Sequence, residues 1–126
     1  MKIELRKNLI YTSISVCHNG LIIQIDDALI DTGSASTVVS IDILSEIGIK
    51  PESSDLIRTI RGVGGVEAVF SRKMDYLQVG EYRIKPFEIE IAGMDYGFGI
   101  NAILGMDFLI SAGVVLNLKK CEMEFK

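Results

Sequence analysis

The sequence predicts a mostly β domain, closed or nearly closed into a barrel, with one or two short helices. Apolar and polar residues alternate with a period of two over several segments, turn-forming residues separate these segments, and only two segments have a helical pattern. Many short strands with few helical turns are typical of β-barrels. The chain has 126 residues without repeats or linkers, so residues 1–126 are predicted to form a single domain.

In the first half of the chain, a hairpin and then a short helix are predicted. The tripeptide His18-Asn19-Gly20 separates two apolar runs, and Asn-Gly readily adopts the positive φ angles of a tight hairpin turn. The helix is predicted over residues 41–47. Ser40 precedes it as an N-cap candidate, and Gly48 is a typical C-terminal stop.

In the second half, two strands are predicted on either side of Gly80-Glu81, over residues 74–79 and 82–91. A second short helix is predicted over residues 106–111, ahead of Gly113. The chain then ends in a further hairpin, which turns at Lys119-Lys120.

Composition excludes several classes of function. Thirteen Lys and Arg residues against 17 Asp and Glu residues leave a net charge of −4 without a basic block, which argues against a nucleic-acid partner. One His and two distant cysteines, Cys17 and Cys121, cannot form a Cys/His zinc site, and both cysteines are expected to be reduced and buried. Any chemistry is therefore expected to use Asp or Glu, with no cofactor.

No targeting or membrane segment is predicted. The first residues lack the apolar stretch of a secretory signal, and no run approaches the roughly 18 apolar residues of a membrane-spanning helix. We therefore expect a cytoplasmic protein without a membrane partner.

The most informative motif is Asp31-Thr32-Gly33-Ser34, which follows an apolar strand. The strand would hold the Asp31 carboxylate at its end with little solvent, and Gly33 permits a tight turn or a close approach of another backbone. The Thr32 and Ser34 hydroxyls could donate hydrogen bonds to the carboxylate. The alternative is an ordinary turn in which Asp31 caps its own backbone.

Two further motifs accompany it. Gly62-Val63-Gly64-Gly65 lies between strand-like segments 56–60 and 66–70, so it predicts a hairpin tip that can lie against an extended peptide. Ile103-Leu104-Gly105 predicts a buried strand that leads directly into the second helix. Alone, the first motif also fits a loose hairpin and the second fits ordinary core packing.

Together and in this order, the three motifs resemble those of the retropepsin-like aspartic proteases, and the continuation Gly105-Met106-Asp107-Phe108-Leu109 is most similar to bacterial single-domain members. The resemblance implies the acid-protease fold, a closed β-barrel with one lobe per chain. It also implies an aspartic endopeptidase that acts on peptide or protein substrates.

Position by position, the resemblance implies that Asp31 is catalytic and that Thr32, Gly33 and Ser34 support it. Thr32 would hydrogen-bond across a dimer axis, and Ser34 would support the outer carboxylate oxygen. Gly33 would also touch the substrate backbone.

The glycine-rich hairpin would supply the remaining substrate contacts through Gly62, Val63 and Gly64. Val63, at the tip of this flap, would offer its N–H group to the substrate.

The resemblance also implies a homodimer. Aspartic proteases activate water between two carboxylates that share one proton, because like charges about 3 Å apart cannot both ionise at low cost. This chain has one Asp-Thr-Gly motif. Asp107 is expected to stabilise the start of the second helix, and Asp26 and Asp27 are expected to be turn or surface acids. The second carboxylate would therefore be Asp31 of another copy.

Two alternatives stay open at this stage. The same fold could be a catalytically silent module for dimerisation or peptide binding. The alternating segments 2–5 and 122–125 could pair within the chain, or they could interleave with those of a second chain as in viral relatives.

Overall fold

The computed structural model describes residues 1–62, 65–94 and 99–126. In this part of the chain, short strands account for most of the regular structure. The strands are β1 (Glu4–Arg6), β2 (Leu9–His18), β3 (Leu21–Ile30), β4 (Val38–Ser40), β5 (Ile57–Gly62), β6 (Gly65–Met74), β7 (Tyr76–Val79), β8 (Tyr82–Ile84), β9 (Phe87–Ala92), β10 (Ala102–Leu104), β11 (Val114–Asn117) and β12 (Glu122–Phe125). The helices are α1 (Ile41–Leu44), a 3-10 helix (Ser45–Ile47) and α2 (Met106–Ser111).

Ten of these strands form one sheet in the order β5-β6-β9-β4-β10-β3-β2-β7-β8, with β1 on β2, while β11 and β12 form a separate hairpin. The prediction of a mostly β domain with few short helices is confirmed. Closure into a barrel is not confirmed, because β5 and β8 lie at opposite ends of this order and no pairing between them is seen in the described residues.

Strand β10 occupies the position that matters most for the site. It pairs in parallel with β3, where Leu104 lies opposite Ile30, and antiparallel with β4. The segments that follow β3 and β10 therefore leave the sheet side by side. Those segments are the Asp31 loop and helix α2.

The predicted turns and helices are largely confirmed. Asn19 and Gly20 have φ angles of 52° and 80° and join β2 to β3, with His18 opposite Leu21. Helix α1 and the 3-10 helix together span the predicted residues 41–47 and end at Gly48, whose φ is 82°. Helix α2 has the predicted bounds. Within the described residues, no helix is long and apolar enough to cross a membrane.

Three details of the sequence prediction are corrected. The predicted strand over residues 74–79 is divided at Asp75, since Met74 ends β6 and β7 begins at Tyr76. The predicted strand over residues 82–91 is two strands, β8 and β9, separated at Pro86, because proline has no N–H group to donate to the sheet. Ser40 does occupy the N-cap position of α1, but its side chain makes no capping hydrogen bond. Of the cysteines, Cys17 is buried as expected and Cys121 is only partly buried; both are free.

The N-terminal segment pairs within the chain. The Ile3 amide donates to the Cys121 carbonyl at 3.0 Å, and the Met123 amide donates to the Met1 carbonyl at 2.8 Å. Lys2 also forms a bridge with Glu122. Of the two alternatives for the termini, the structure therefore describes the intrachain pairing.

The core is centred on Phe108 of α2. This side chain is fully buried, and its ring meets those of Tyr82, Phe87 and Phe125 edge to face, with centroid distances of 6.3, 6.1 and 6.5 Å. Edge-to-face contacts at such distances add to the stabilisation from burial alone. Phe108 thereby fastens α2 to both the main sheet and the C-terminal hairpin.

We expect Phe108→Ala to lower the free energy of unfolding by about 3–5 kcal/mol, because it leaves a cavity where three other rings converge. Urea unfolding followed by circular dichroism measures this loss. Leu56→Ala is the control: Leu56 is 82% exposed, so its truncation should change stability by no more than about 0.5 kcal/mol. Equal effects of both substitutions would contradict the central place of Phe108.

Candidate active site

Asp31 lies at the end of β3, where the neighbouring strand β10 also ends. Its amide donates to the Leu104 carbonyl at 3.0 Å, one step beyond the parallel pairing of the two strands. The residue is partly buried, while Thr32 and Gly33 are exposed. The sheet thus presents the Asp31 carboxylate at a solvent-accessible edge, where two paired strands end.

The Gly33 amide contacts the Asp31 carboxylate directly. It donates to Oδ1 at 2.8 Å, and the Ser34 amide donates to the Asp31 carbonyl at 3.2 Å. A Cβ at Gly33 would lie 3.1 Å from the same Oδ1, so glycine allows this close approach. The Gly33 contact is also that of an ordinary turn in which Asp caps its own backbone, so this bond alone does not separate the two interpretations.

The Ser34 hydroxyl differs from its expected role. It donates to the Ser36 carbonyl at 2.7 Å, so in this structure its proton is not directed to the Asp31 carboxylate. The carbonyl two residues ahead is a nearby acceptor for a serine hydroxyl, and it stabilises the loop after Asp31.

The Asp31 loop is packed tightly against the start of α2. The Met106 amide donates to the Ser34 carbonyl at 2.8 Å, and the Asp107 amide donates to the Ala35 carbonyl at 3.2 Å. A Cβ at Gly105 would lie 2.3 Å from the Ser36 carbonyl oxygen. Only glycine permits the loop backbone to come this close to the end of β10.

Thr37 and Asp107 hold this junction together. The fully buried Thr37 donates to Asp107 twice, from Oγ1 to Oδ1 at 2.7 Å and from its amide to Oδ2 at 3.1 Å. Its Oγ1 also accepts the Gly105 amide at 3.1 Å, and Asp107 accepts the Phe108 amide at 2.8 Å. These contacts support the structural role expected for Asp107.

Sequence reasoning did not identify Thr37. Nothing in the residues around Thr37 indicates its role. The partner of its hydroxyl is Asp107 of helix α2, which lies 70 positions further along the chain.

The other acids near the motif are engaged elsewhere. Asp26 is exposed on β3, and hydrogen bonds from Gln24 and Ser13 lower its pKa, which favours its ionised form. Asp27 forms an ion pair with Arg6 at 2.8 Å. Both match the expected surface role, and each already has partners other than Asp31.

A second polar group links the Asp31 loop to the hairpin of β5 and β6. The buried side chain of Glu90 forms an ion pair with Arg58 of β5 and accepts the Ser71 hydroxyl of β6 at 3.0 Å. The Glu90 amide donates to the Thr37 carbonyl at 2.9 Å. The base of the glycine-rich hairpin is thus connected to the loop that holds Asp31.

The hairpin itself is partly described. Strands β5 and β6 pair antiparallel up to Gly62, which lies opposite Gly65, as predicted for a hairpin stem. Val63 and Gly64, the two other residues expected to bind substrate there, lie outside the described residues. Among residues 1–62, 65–94 and 99–126, no three His, Cys, Asp or Glu side chains are placed to hold a metal ion.

Comparisons with known proteins agree with this geometry. The model of a protein family described as aspartyl protease matches residues 14–108, well over half of the chain. A comparison with curated protein sequences found no match. The crystal structure of a retropepsin-like aspartic protease from Rickettsia conorii is similar in fold, with a TM-score of 0.69 and 17% identity over 96% of this chain and 93% of that one.

We expect Thr37→Val to lower the free energy of unfolding by about 1–3 kcal/mol, since it leaves the buried Gly105 amide without its acceptor and removes one donor from Asp107. Thr37→Ser keeps the hydroxyl and is the matched control. Urea unfolding of the two variants measures the difference. A Thr37→Val variant as stable as Thr37→Ser would show that the hydroxyl does not stabilise the junction.

Proposed function

The chain belongs to the aspartyl protease family, and we propose that it is an aspartic endopeptidase in which two copies of Asp31, one from each chain of a homodimer, activate a water molecule. The observation that carries the proposal is the Asp31 carboxylate, held by the Gly33 amide in a loop that Gly105 and Thr37 fasten to α2. A preorganised acid on a rigid sheet is what this chemistry requires.

The proposed reaction needs no covalent intermediate. The ionised carboxylate of the pair takes a proton from water, and the resulting hydroxide oxygen bonds to the carbonyl carbon of the scissile amide. The protonated carboxyl of the other chain donates its proton to the carbonyl oxygen. When the tetrahedral intermediate collapses, the protonated carboxyl of the pair gives its proton to the amine nitrogen and the C–N bond breaks. One hydroxyl of the intermediate returns its proton to the other carboxylate, so a carboxylic acid and an amine leave and the pair ends the cycle singly protonated.

A second chain is part of the proposal because one chain supplies half of the pair. Asp26 and Asp27 lie on β3 with their own partners, and Asp107 is tied to Thr37. None of these acids is available to share a proton with Asp31. A two-fold axis next to Asp31 would bring the same residue of a second copy into place, and Thr32 would then bond across that axis.

Peptide or protein substrates would lie between the Asp31 loop and the hairpin of β5 and β6. Gly33 and Gly62, with Val63 and Gly64, would contact the substrate backbone there. The exposed position of Gly33 and the hairpin stem that ends at Gly62 support this placement. Ser34 would support Asp31 indirectly, through its bond to the Ser36 carbonyl.

Fold, cofactor use and location are expected to follow the family. Residues 1–126 would form one catalytic lobe of a closed acid-protease barrel, without a cofactor. A cytoplasmic location is proposed because both cysteines are free, as is usual in reducing compartments.

We expect wild-type protein to cleave an unfolded protein or a diverse peptide pool at some pH between about 4 and 7, where a coupled carboxyl pair holds one proton. Asp31→Asn should lower the rate at least roughly 1000-fold, because an amide cannot take the proton from water. Product formation is measured by mass spectrometry, which also reports the cleavage sites.

Asp26→Asn is the matched control, since it removes an acid from the same strand at an exposed position and should retain activity. Cleavage that persists in Asp31→Asn would overturn the assignment of Asp31. Absence of cleavage in the wild-type dimer would favour a silent module for dimerisation or peptide binding.

A further inference from the structure

The polar cluster that joins the β5–β6 hairpin to the sheet contains a buried charge. Glu90 is 6% exposed and lies between Ile89 and Ile91, which belong to the main core. Its carboxylate pairs with Arg58 of β5, and the Ser71 hydroxyl of β6 donates to Oε2 at 3.0 Å. A buried ion pair adds little net stability compared with apolar residues of the same size, so the value of this one lies in what it holds in place.

The three side chains form a closed set of contacts. The Arg58 guanidinium donates to the Ser71 hydroxyl at 3.1 Å and also contacts the Glu90 carboxylate directly. Ser71 lies opposite Glu90 in the β6–β9 pairing, whereas Arg58 lies opposite Val69 in the β5–β6 pairing. Glu90 on β9 therefore reaches across β6 and binds the strand beyond it.

This contact reaches a part of the hairpin that the main sheet does not hold by strand pairing. Strand β6 pairs with β9 from Phe70 to Met74, while its pairing with β5 continues from Phe70 outward to Gly65. Beyond Phe70, the two hairpin strands pair only with each other in the described residues, and Arg58 is on the first such step of β5. The stem extends about 13 Å further from Arg58 to Gly62, so a rotation of roughly 10° at the cluster would move its end by about 2 Å.

The cluster lies on the face of the sheet that also carries Asp31. Side chains alternate between the two faces of a strand, so Glu90 shares its face with Ala92, and Leu29 shares its face with Asp31. Ala92 belongs to an apolar cluster against which Leu29 packs. The ion pair and Asp31 are therefore on the same side of the sheet, where a peptide would lie under the proposed function.

We propose that Glu90 is a positioning residue, which through Arg58 and Ser71 fixes the β5–β6 hairpin at one distance from the Asp31 loop. The inference rests on the proposed function, in which a peptide lies between these two elements. The Glu90 backbone supplies the other end of the link, because its amide donates to the Thr37 carbonyl at 2.9 Å. One residue thus contacts the hairpin through its side chain and the loop after Asp31 through its main chain.

A neighbouring ion pair provides a matched control. Arg72 binds Asp55 at 2.9 Å, and the Asp55 side chain is 8% exposed, as is that of Glu90. Arg72 also donates to the Lys50 carbonyl at 3.2 Å, so this pair holds the segment that precedes β5. Because Arg72 directly follows Ser71 on β6, it lies on the opposite face of that strand from the Glu90 cluster.

The test compares Glu90→Gln with Asp55→Asn in the full chain. Each substitution removes one buried negative charge and keeps the shape of the side chain. Hydrogen–deuterium exchange followed by mass spectrometry measures the opening of residues 57–70. Steady-state kinetics on a peptide that the wild type cleaves separates KM from kcat. Circular dichroism and sedimentation check that both variants keep the fold and the mass of the wild type.

We expect Glu90→Gln to speed the exchange of residues 57–70 at least about threefold and to raise KM at least about fivefold, with kcat within about twofold of the wild type. Contacts between the hairpin and the peptide backbone are made in the ground state and the transition state alike, so their loss weakens binding without slowing the chemical step. Arg58→Lys keeps a cation beside Glu90 and should have a smaller effect. Asp55→Asn should leave both quantities within about twofold of the wild type, because it loosens the segment before β5 instead.

Wild-type exchange and wild-type KM in Glu90→Gln would overturn the inference. An equal rise of KM in Glu90→Gln and Asp55→Asn would also overturn it, because the effect would then follow from a general loss of stability. A fall in kcat with unchanged KM would do the same, since it would place Glu90 in the chemical step.

The two proposals fail in different ways. If the wild type cleaves no peptide while Glu90→Gln still speeds exchange of the hairpin, the proposed function is removed and the positioning role stays. Cleavage by a wild type whose hairpin exchange and KM do not depend on Glu90 would keep the function and remove the positioning role.

Discussion

The candidate site depends on the close contact between the loop after Asp31 and the start of α2. This contact needs a glycine at position 105, because any side chain there would collide with the Ser36 carbonyl. It also needs the Thr37 hydroxyl, which satisfies the Gly105 amide and Asp107 at once inside the core. Buried polar groups stabilise a fold only when each has its partner, so the two requirements act together.

The sheet topology explains why such a contact can form between segments so distant in sequence. Strand β10 lies between β3 and β4, so the chain that leaves β10 as α2 meets the chain that left β3 as the Asp31 loop. Phe108 then fastens α2 to the ring cluster of the core. The position of Asp31 is thereby linked to the most buried part of the domain. Such a link would hold the carboxylate in a defined orientation, which a catalytic acid requires.

The same junction connects several parts of the structure. Thr37 contacts α2 through its side chain, and its carbonyl accepts the amide of Glu90, whose carboxylate pairs with Arg58 at the base of the β5–β6 hairpin. On the other side, α2 and β11 line an apolar groove that reaches Thr32. The Asp31 loop, helix α2 and the base of the β5–β6 hairpin are therefore linked by one set of polar contacts.

Local patterns alone were sufficient to predict much of this protein. Alternation predicted the strands, Asn19-Gly20 predicted the first hairpin, and Gly48 and Gly113 marked the ends of the helical segments. Asp31-Thr32-Gly33-Ser34 marked the candidate site. Each of these signals is local, because the conformational preference of a short segment depends on the few residues that compose it. The break at Pro86 was also local, but the alternation around it concealed it.

Only the tertiary structure decided the contacts made across the chain. The role of Thr37 depends on its contact with Asp107, a residue of α2 that is distant in sequence. Likewise, only the folded loop shows that the Ser34 hydroxyl donates to the Ser36 carbonyl. The intrachain pairing of Met1 and Ile3 and the groove beside Thr32 likewise depend on segments separated by most of the chain. The spacing of residues in the sequence does not predict these long-range contacts. The order of the strands in the sheet determines which residues become neighbours.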